Sequence, residues 1–374
     1  MISKSCCAAS VCPLVACLGA AAVGWSADSL RGESLLTLPA SLRHYYVAQA
    51  TPEPSPPVPG ADATRESVKT PTEPASIASP GMSETATFAL SSQRLHNDPT
   101  ILWPGFMTGL RGFEHFYEPV GMPLYFESPF NTTQLRLLYL YHDFPNGSQI
   151  GGGHLNVYAA QIRLALTERL GFIATKDGYS DLNAGILPES DGWNDFAIGL
   201  KYVLIADRER DFVLATGLRW EWQNGDRDVL QGADQELSPF FSFAQGFDQF
   251  HILGNITGRI PTDLNDGNCI LSWNLHFDYE ILPQILPGLA PLIEFHGLHY
   301  LSDGDRLPLS VGGLDYTNLG SADVAGDTVI WSGVGFRWKL TPHVSLGSTF
   351  EFPLTDADDD IMGNRVTADL AFSW

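Results

Sequence analysis

From about residue 132 to the last residue, apolar and polar side chains alternate one by one along the chain. In "NCILSWNLHFDYEI", Cys269, Leu271, Trp273, Leu275, Phe277, Tyr279 and Ile281 share one face, and Ser272, Asn274, His276, Asp278 and Glu280 share the other. "FVLATGLRWEWQ" sets Leu218, Trp220 and Trp222 against Arg219, Glu221 and Gln223. The final stretch, "NRVTADLAFSW", sets Val366, Ala368, Leu370, Phe372 and Trp374 against Arg365, Thr367, Asp369, Ala371 and Ser373. A period of two is the signature of β-strands with one buried face. Terminal residues usually fray, so alternation carried to the last residue predicts a sheet closed on itself.

The pattern predicts about twelve strands, near 133–143, 153–166, 170–178, 193–206, 211–223, 236–245, 249–260, 268–281, 291–302, 327–340, 343–354 and 364–374. The third and sixth carry the weakest alternation. Alternation alone also fits a β-sandwich, but three features separate the two. Sandwich strands run about 5–6 residues, whereas these are long enough to cross a bilayer when tilted. Charges such as Arg163, Arg219, Asp278 and Arg337 stand in mid-strand, which a water-filled lumen tolerates. Aromatics gather near strand ends, as in the girdles of membrane barrels. Short connections at 167–170, 206–211, 246–248 and 341–343 alternate with long ones near 143–152, 178–192, 224–235, 261–267, 302–326 and 355–363. The prediction is an all-β fold: a transmembrane antiparallel up-and-down β-barrel of about twelve strands, with a disordered N-terminal extension.

Before the barrel the composition changes. Residues 1–27 read as an export signal, with Lys4 ahead of a small-residue apolar stretch. An alternative is lipidation at Cys17, since Leu14-Val15-Ala16-Cys17 resembles a lipobox. Residues 28–95 are rich in Pro, Ser, Thr and Ala and cannot bury enough apolar surface to offset their ordering entropy; they read as a disordered periplasmic linker. Residues 96–131 are aromatic and rich in Gly and Pro, without periodicity. They serve as an ordered lead-in to the first strand, the simpler reading, or they plug the lumen. Residues 132–374 form the barrel. The formal charge of -22 speaks against nucleic acid as a partner. Four of the five cysteines fall in the signal region, so Cys269 alone has no partner for an internal disulfide.

Several segments carry a resemblance. "VTADLAFSW" looks like the C-terminal signal of bacterial outer-membrane barrels, with Leu370, Phe372 and Trp374 as its apolar row. "PLYFESPFNTTQLRLLYLYHDFP", "VYAAQIRLALTERLGFIATKDGY" and "GVGFRWKLTPHVSLGSTFEFPLT" resemble the opening and closing strands of outer-membrane transporter-like barrels of the meta-pathway phenol-degradation type. The resemblance covers about 120–374. It implies a transporter or channel in the outer membrane of a diderm bacterium, with outer-membrane lipid, the barrel-insertion machinery and a small-molecule solute as partners. It implies no cargo beyond a hydrophobic tendency.

Strand parity assigns a lumen lined by Arg136, Arg163, Lys201, Arg219, Glu221, Arg259, His276, Asp278, Glu280, Glu294, Arg337, Lys339, Glu351, Arg365 and Asp369. Arg136, Arg163, Arg337 and Arg365 fall on strands that adjoin after closure, and Glu221, Asp278, Glu280 and Glu294 on the opposite wall. That division either sets a transverse field across a pore or disappears through pairing that closes the lumen. Acidic loops hold Asp226, Asp228, Asp234 and Glu236, then Asp303 and Asp305, then Asp356, Asp358, Asp359 and Asp360. Oxygen ligands of this kind suit Ca²⁺, but Thr367 stands where an EF-hand has its bidentate Glu, and solvated loops are the plainer reading. His276 and His296 share the lumen face while His299 faces outward; hydrogen-bonded lumen histidines fit better than a two-His metal site. There is no G-x-S-x-G elbow, and no helix follows Gly151-Gly152-Gly153 to make a phosphate cradle. No cofactor is expected. The leading function is a channel or transporter for small solutes; the alternatives are a closed structural or adhesion barrel and, third, a membrane-embedded hydrolase.

Overall fold

The computed structural model describes residues 104–232, 234–356 and 361–374. The expected signal peptide, Cys17 and the linker lie outside the described residues, as do positions 96–103 and Asp358, Asp359 and Asp360. The strands are β1 (Gln134–Phe144), β2 (Gly153–Ala165), β3 (Leu170–Lys176), β4 (Tyr179–Ala184), β5 (Ser190–Trp193), β6 (Phe196–Asp207), β7 (Phe212–Trp222), β8 (Glu236–Phe247), β9 (Phe250–Pro261), β10 (Ile270–Tyr279), β11 (Leu289–Tyr300), β12 (Thr328–Thr341), β13 (Val344–Pro353) and β14 (Arg365–Ser373).

Every strand pairs antiparallel with its neighbour, and β14 returns to β1 from Gln134↔Ser373 to His142↔Arg365, which closes the sheet. The zip runs to the end, since the Trp374 N–H donates to the Thr133 carbonyl at 3.0 Å. Closure leaves no unpaired edge. The barrel has twelve staves because two of them are interrupted strands. One edge of β2 pairs with β3 through Ile162–Ala165 and with β4 through Gly153–Tyr158. Between them, Gly178 takes φ +102°, and a Cβ there would lie 2.3 Å from the Tyr158 carbonyl oxygen. The Asp177 carboxylate accepts the Ala160 N–H at 3.2 Å and patches the broken ladder. β5 and β6 make the next stave in the same way.

The 178–192 stretch, read from sequence as a long loop, is therefore largely a hairpin of β4 and β5. Its Asn, Asp, Ser and Gly content signals turn. Strands can be that polar here because the hairpin sits at the long-connection end, where the outer face need not be apolar.

Around the circumference the outward row is apolar and exposed: Leu137, Ile162, Leu200, Leu218, Phe241, Ile256, Ile293, Val334, Phe350 and Val366. The inward row is buried and mostly polar, as in Ser272, Asn274, His276 and Asp278 of β10. The aligned parity of all staves follows from the period of two, since a one-residue slip would turn a whole row inside out.

Candidate functional site

The lumen is filled from both ends. From the short-turn end, residues 104–133 rise inside the barrel, turn near Gly121 and Met122, and descend into β1. Their two legs meet where the Leu110 N–H donates to the Asn131 carbonyl at 2.8 Å. Outer contacts fix the base: Glu168 N–H to the Pro104 carbonyl at 3.0 Å, Arg208 to the Arg111 carbonyl at 2.7 Å, and His115 to Asp211 at 2.8 Å. Phe116, Tyr117, Val120, Met122, Tyr125, Phe126 and Phe130 are all buried.

This segment has no regular ladder, so its backbone polar groups need partners elsewhere. The wall supplies them. Arg136 donates to the carbonyls of Pro119 and Val120 at 3.2 and 3.1 Å. Arg337 donates to those of Glu118 and Pro119 at 3.0 and 2.9 Å. Gln161 reaches Pro123 O at 2.8 Å, Arg219 reaches Leu124 O, and Lys201 reaches Ser128 O and Phe130 O at 3.0 and 2.6 Å. Glu294 does the converse, accepting the N–H groups of Val120 and Gly121 at 2.9 and 2.7 Å. Only glycine fits at 121, because a Cβ there would lie 2.6 Å from Glu294 Oε2 and 2.7 Å from His296 Nε2.

Side chains complete the seating. Glu127 binds Arg163 Nη2 at 2.7 Å and Lys201 Nζ at 2.6 Å, with all three groups buried. Burial alone would raise the Glu127 carboxyl, but Arg163 and then Lys201 more than offset this and hold it at about 2. Two guanidinium groups lie over the Tyr125 ring, Arg219 at 4.2 Å and Arg259 at 4.4 Å from its centroid. Its hydroxyl donates to Glu236 at 2.8 Å.

From the long-connection end, the loop 301–327 folds inward. Asp315 meets Arg365 side on, at 2.7 and 3.1 Å. Burial would raise the Asp315 carboxyl, and Arg365 overcomes this and holds it below the usual carboxylate range. Arg259 donates to Leu314 O and Gln231 to Tyr316 O, at 2.7 and 2.8 Å. Beneath the loop lies a cavity of about 80 Å³ bounded by β1, β2, β4 and the loop itself.

The residues expected in the lumen are placed as follows. Arg136 and Arg337 share Asp369, Arg163 and Lys201 share Glu127, Glu221 binds Lys176, Arg259 binds Glu236 at 3.0 Å, and Arg365 binds Asp315. His276 bridges Asp278 and Glu294 at 3.0 and 2.7 Å, and His251 joins Asp278 at 2.6 Å. Glu351 accepts from Trp331 and Thr367 at 3.0 and 2.9 Å. Lys339 holds the carbonyls of Glu114 and His115 at the base. Glu280 stands at the rim and accepts the Gly288 N–H at 3.0 Å. Leu370 and Phe372 lie on the outward row of β14, which Trp374 extends with its ring half exposed.

The basic and acidic walls thus do not face each other across open water. Most of these charges are paired locally, several with residues 118–130 and the inward loop. Glu236, grouped with the loop acids by sequence, begins β8 and faces the lumen, because its parity follows Ser238. Three of the other loop carboxylates cap backbone: Asp303 accepts Val324 and Ala325 N–H at 2.9 and 2.7 Å, Asp226 accepts Trp193 N–H at 2.6 Å, and Asp234 accepts Asp263 N–H at 3.1 Å. Among the described residues, no group of side chains is arranged to hold a metal. Sequence reasoning missed Glu127, Gly121, Asp315 and Lys176; the signal for Glu127 was a carboxylate in an aromatic segment facing a basic wall.

No family model and no curated protein matches the chain, so its likeness to the meta-pathway barrels stays a resemblance. Solved structures similar to it include an outer membrane channel from Pseudomonas putida F1, 11% identical, covering 69% of this chain and 100% of that one, with a TM-score of 0.48. The KdgM porin in complex with disordered oligogalacturonate is 12% identical and covers 64% and 99%, with a TM-score of 0.37. The NanC porin is 8% identical and covers 65% and 100%, with a TM-score of 0.40. Likenesses this distant decide nothing about what this barrel carries.

Proposed function

We propose that the chain is an outer-membrane channel for small solutes of apolar character, closed in the described state by its own residues 104–133. Two features support the membrane setting. The apolar outer row is continuous around the barrel, where a soluble protein rarely leaves so large a patch uncovered. Aromatics such as Trp193, Tyr279 and Trp374 lie at the ends of strands, exposed. The row Leu370, Phe372 and Trp374 is then the part read by the insertion machinery.

The observation that carries the channel reading is how the lumen is closed. Strand side chains alone do not fill a barrel of this girth, which exceeds the eight staves they can pack. The filler is a separate segment, held by hydrogen bonds and ion pairs and not by sheet pairing, so it can leave without breaking the wall. The cavity under the inward loop, lined by Phe144, Leu155, Leu182 and Leu319, supports apolar cargo. The extensive pairing of lumen charges favours a second reading, a permanently closed structural barrel.

Uptake of radiolabelled toluene and of glucose into liposomes with a lipopolysaccharide outer leaflet separates them. The channel reading expects the protein to speed toluene uptake well beyond protein-free vesicles, and glucose less. No acceleration of either solute leaves the structural barrel.

A further inference from the structure

The wall carries one polar atom that the seated segment covers and does not use. His296 is fully buried on β11, and its Nε2 has no hydrogen-bond partner among the described residues. The other ring nitrogen, Nδ1, donates to Asn274 Oδ1 at 2.8 Å. The Asn274 amide nitrogen donates to Asn255 Oδ1 at 3.2 Å, which keeps its own oxygen toward His296. Nε2 therefore holds a lone pair, aimed between two carboxylates. Glu294 Oε2 and Glu351 Oε1 each lie 3.8 Å from it, beyond hydrogen-bond reach.

The strand register brings these groups together. Glu294 and His296 are two apart on β11 and share its inward face. Glu351 stands on β13, and Gly333 of the intervening β12 pairs with both Glu294 and Glu351. A Cβ at 333 would lie 3.1 Å from Glu351 Cγ and 3.8 Å from Glu294 Cβ, so a larger side chain would stand between the two. Each carboxylate is oriented from behind. His276 holds Glu294 Oε1 at 2.7 Å, and Trp331 and Thr367 hold Glu351 at 3.0 and 2.9 Å.

An imidazole nitrogen with its other N–H anchored, beside two oriented carboxylates, is a donor set for zinc. Ligand atoms around one zinc stand roughly 3–4 Å apart, from bonds of about 2.0–2.2 Å. With the segment seated, Gly121 fills the space. The position one bond from its Cα, where a Cβ would stand, lies 2.6, 2.7 and 3.1 Å from Glu294 Oε2, His296 Nε2 and Glu351 Oε1. Its N–H also holds Glu294 Oε2 at 2.7 Å. That is why these side chains are not arranged around a metal in the described state.

Resting on the reading that residues 104–133 can leave the lumen, we propose that His296, Glu294 and Glu351 form a site for a zinc-class divalent ion, which takes the place of Gly121 and holds the channel open. The ion and the segment compete for the same three atoms. Imidazole suits zinc, whereas Mg²⁺ prefers oxygen ligands in an octahedron and serves as the control.

Two measurements on the full chain at pH 7 test this: single-channel recording, and equilibrium binding of Zn²⁺ in lipid nanodiscs against a chelating dye, with empty nanodiscs as the blank. At a zinc level a hundredfold above its dissociation constant for the open form, the opening equilibrium is expected to rise about 100-fold. Mg²⁺ at the same level is expected to leave it unchanged. His296→Gln and Glu351→Gln are each expected to lose this response and one bound ion. Each variant is compared with itself under chelation, so a loosened plug is not mistaken for a lost ligand. Glu127→Gln, which favours release of the segment, is expected to bind zinc at least about tenfold more tightly, because the competent form is more populated. Heat-modifiable migration on a gel certifies that each variant is folded. Two results overturn the inference: a folded His296→Gln variant that keeps the zinc response of wild type, or a Glu127→Gln chain that opens more often without binding zinc more tightly. Zinc binding that depends on His296 and Glu351, in a chain that never conducts, refutes the channel reading and leaves the site standing. Conductance that zinc does not change does the reverse.

Discussion

Glu127→Gln is the perturbation with the largest worked consequence. The wild-type carboxylate is the shared counter-ion of Arg163 and Lys201, at 2.7 and 2.6 Å, and both cations are at least 95% buried. The substitution keeps the side-chain shape and removes the charge. While the plug is seated, two buried cations then lose their counter-ion, which costs about 3–5 kcal/mol. Once the plug leaves, both cations face a water-filled lumen and the penalty is relieved. The cost therefore falls on the closed state alone, and the opening equilibrium shifts about 10²- to 10⁴-fold toward release. Single-channel recording reads this directly as a rise in open probability at unchanged unit conductance. Glu114→Gln is the control, since that side chain is 60% exposed and exposed pairs contribute ~1 kcal/mol or less. A folded Glu127→Gln barrel that opens no more often than wild type would refute the idea that this ion pair holds the plug.

Three further outcomes follow from the same geometry. Gly121→Ala places a methyl group 2.6 Å from Glu294 Oε2; overpacking of this kind costs about 1–3 kcal/mol, and trypsin should then cleave the plug segment at Arg111 faster than in wild type. Acid should release the plug: the Glu127 carboxyl sits at about 2 when seated and near 4.3 when freed, so its stabilisation is complete above the freed value and is lost as pH falls through the seated one. Channel openings should accordingly become more frequent between about pH 4 and pH 2 than they are at pH 7. Asp315→Asn removes the charge that faces Arg365 and should loosen the inward loop by about 3–5 kcal/mol, read as faster proteolysis at Arg306 with heat-modifiable migration retained.

The barrel was legible because a period of two fixes which side each residue faces, and ten consecutive positions of β10 leave little choice. Its inward charges were legible by the same parity. What they do was not. Arg136, Arg163, Lys201 and Arg337 mark a lumen in the sequence, but the backbone carbonyls and the Glu127 carboxylate that they bind come from residues 118–130, which have no periodicity from which to read a position. The same holds for Arg365, whose partner Asp315 lies in a loop about fifty residues away along the chain. The split staves were hidden because β4 and β5 carry turn-forming residues outside the apolar belt. Backbone satisfaction is the missing link: an irregular segment inside a barrel has to borrow donors and acceptors from the wall, and that demand explains the wall's composition better than ion selectivity does.

The central claim is that residues 104–133 close a lumen that the wall leaves open. Single-channel conductance in a planar bilayer, comparing the full chain with a chain lacking residues 96–131, tests it most directly. The account predicts a full chain that opens only briefly and rarely at neutral pH and a shortened chain with steady conductance in small steps, since the inward loop still narrows the mouth. Equal conductance in both would contradict the plug, and silence in both, from barrels shown to be folded by heat-modifiable migration, would contradict the channel.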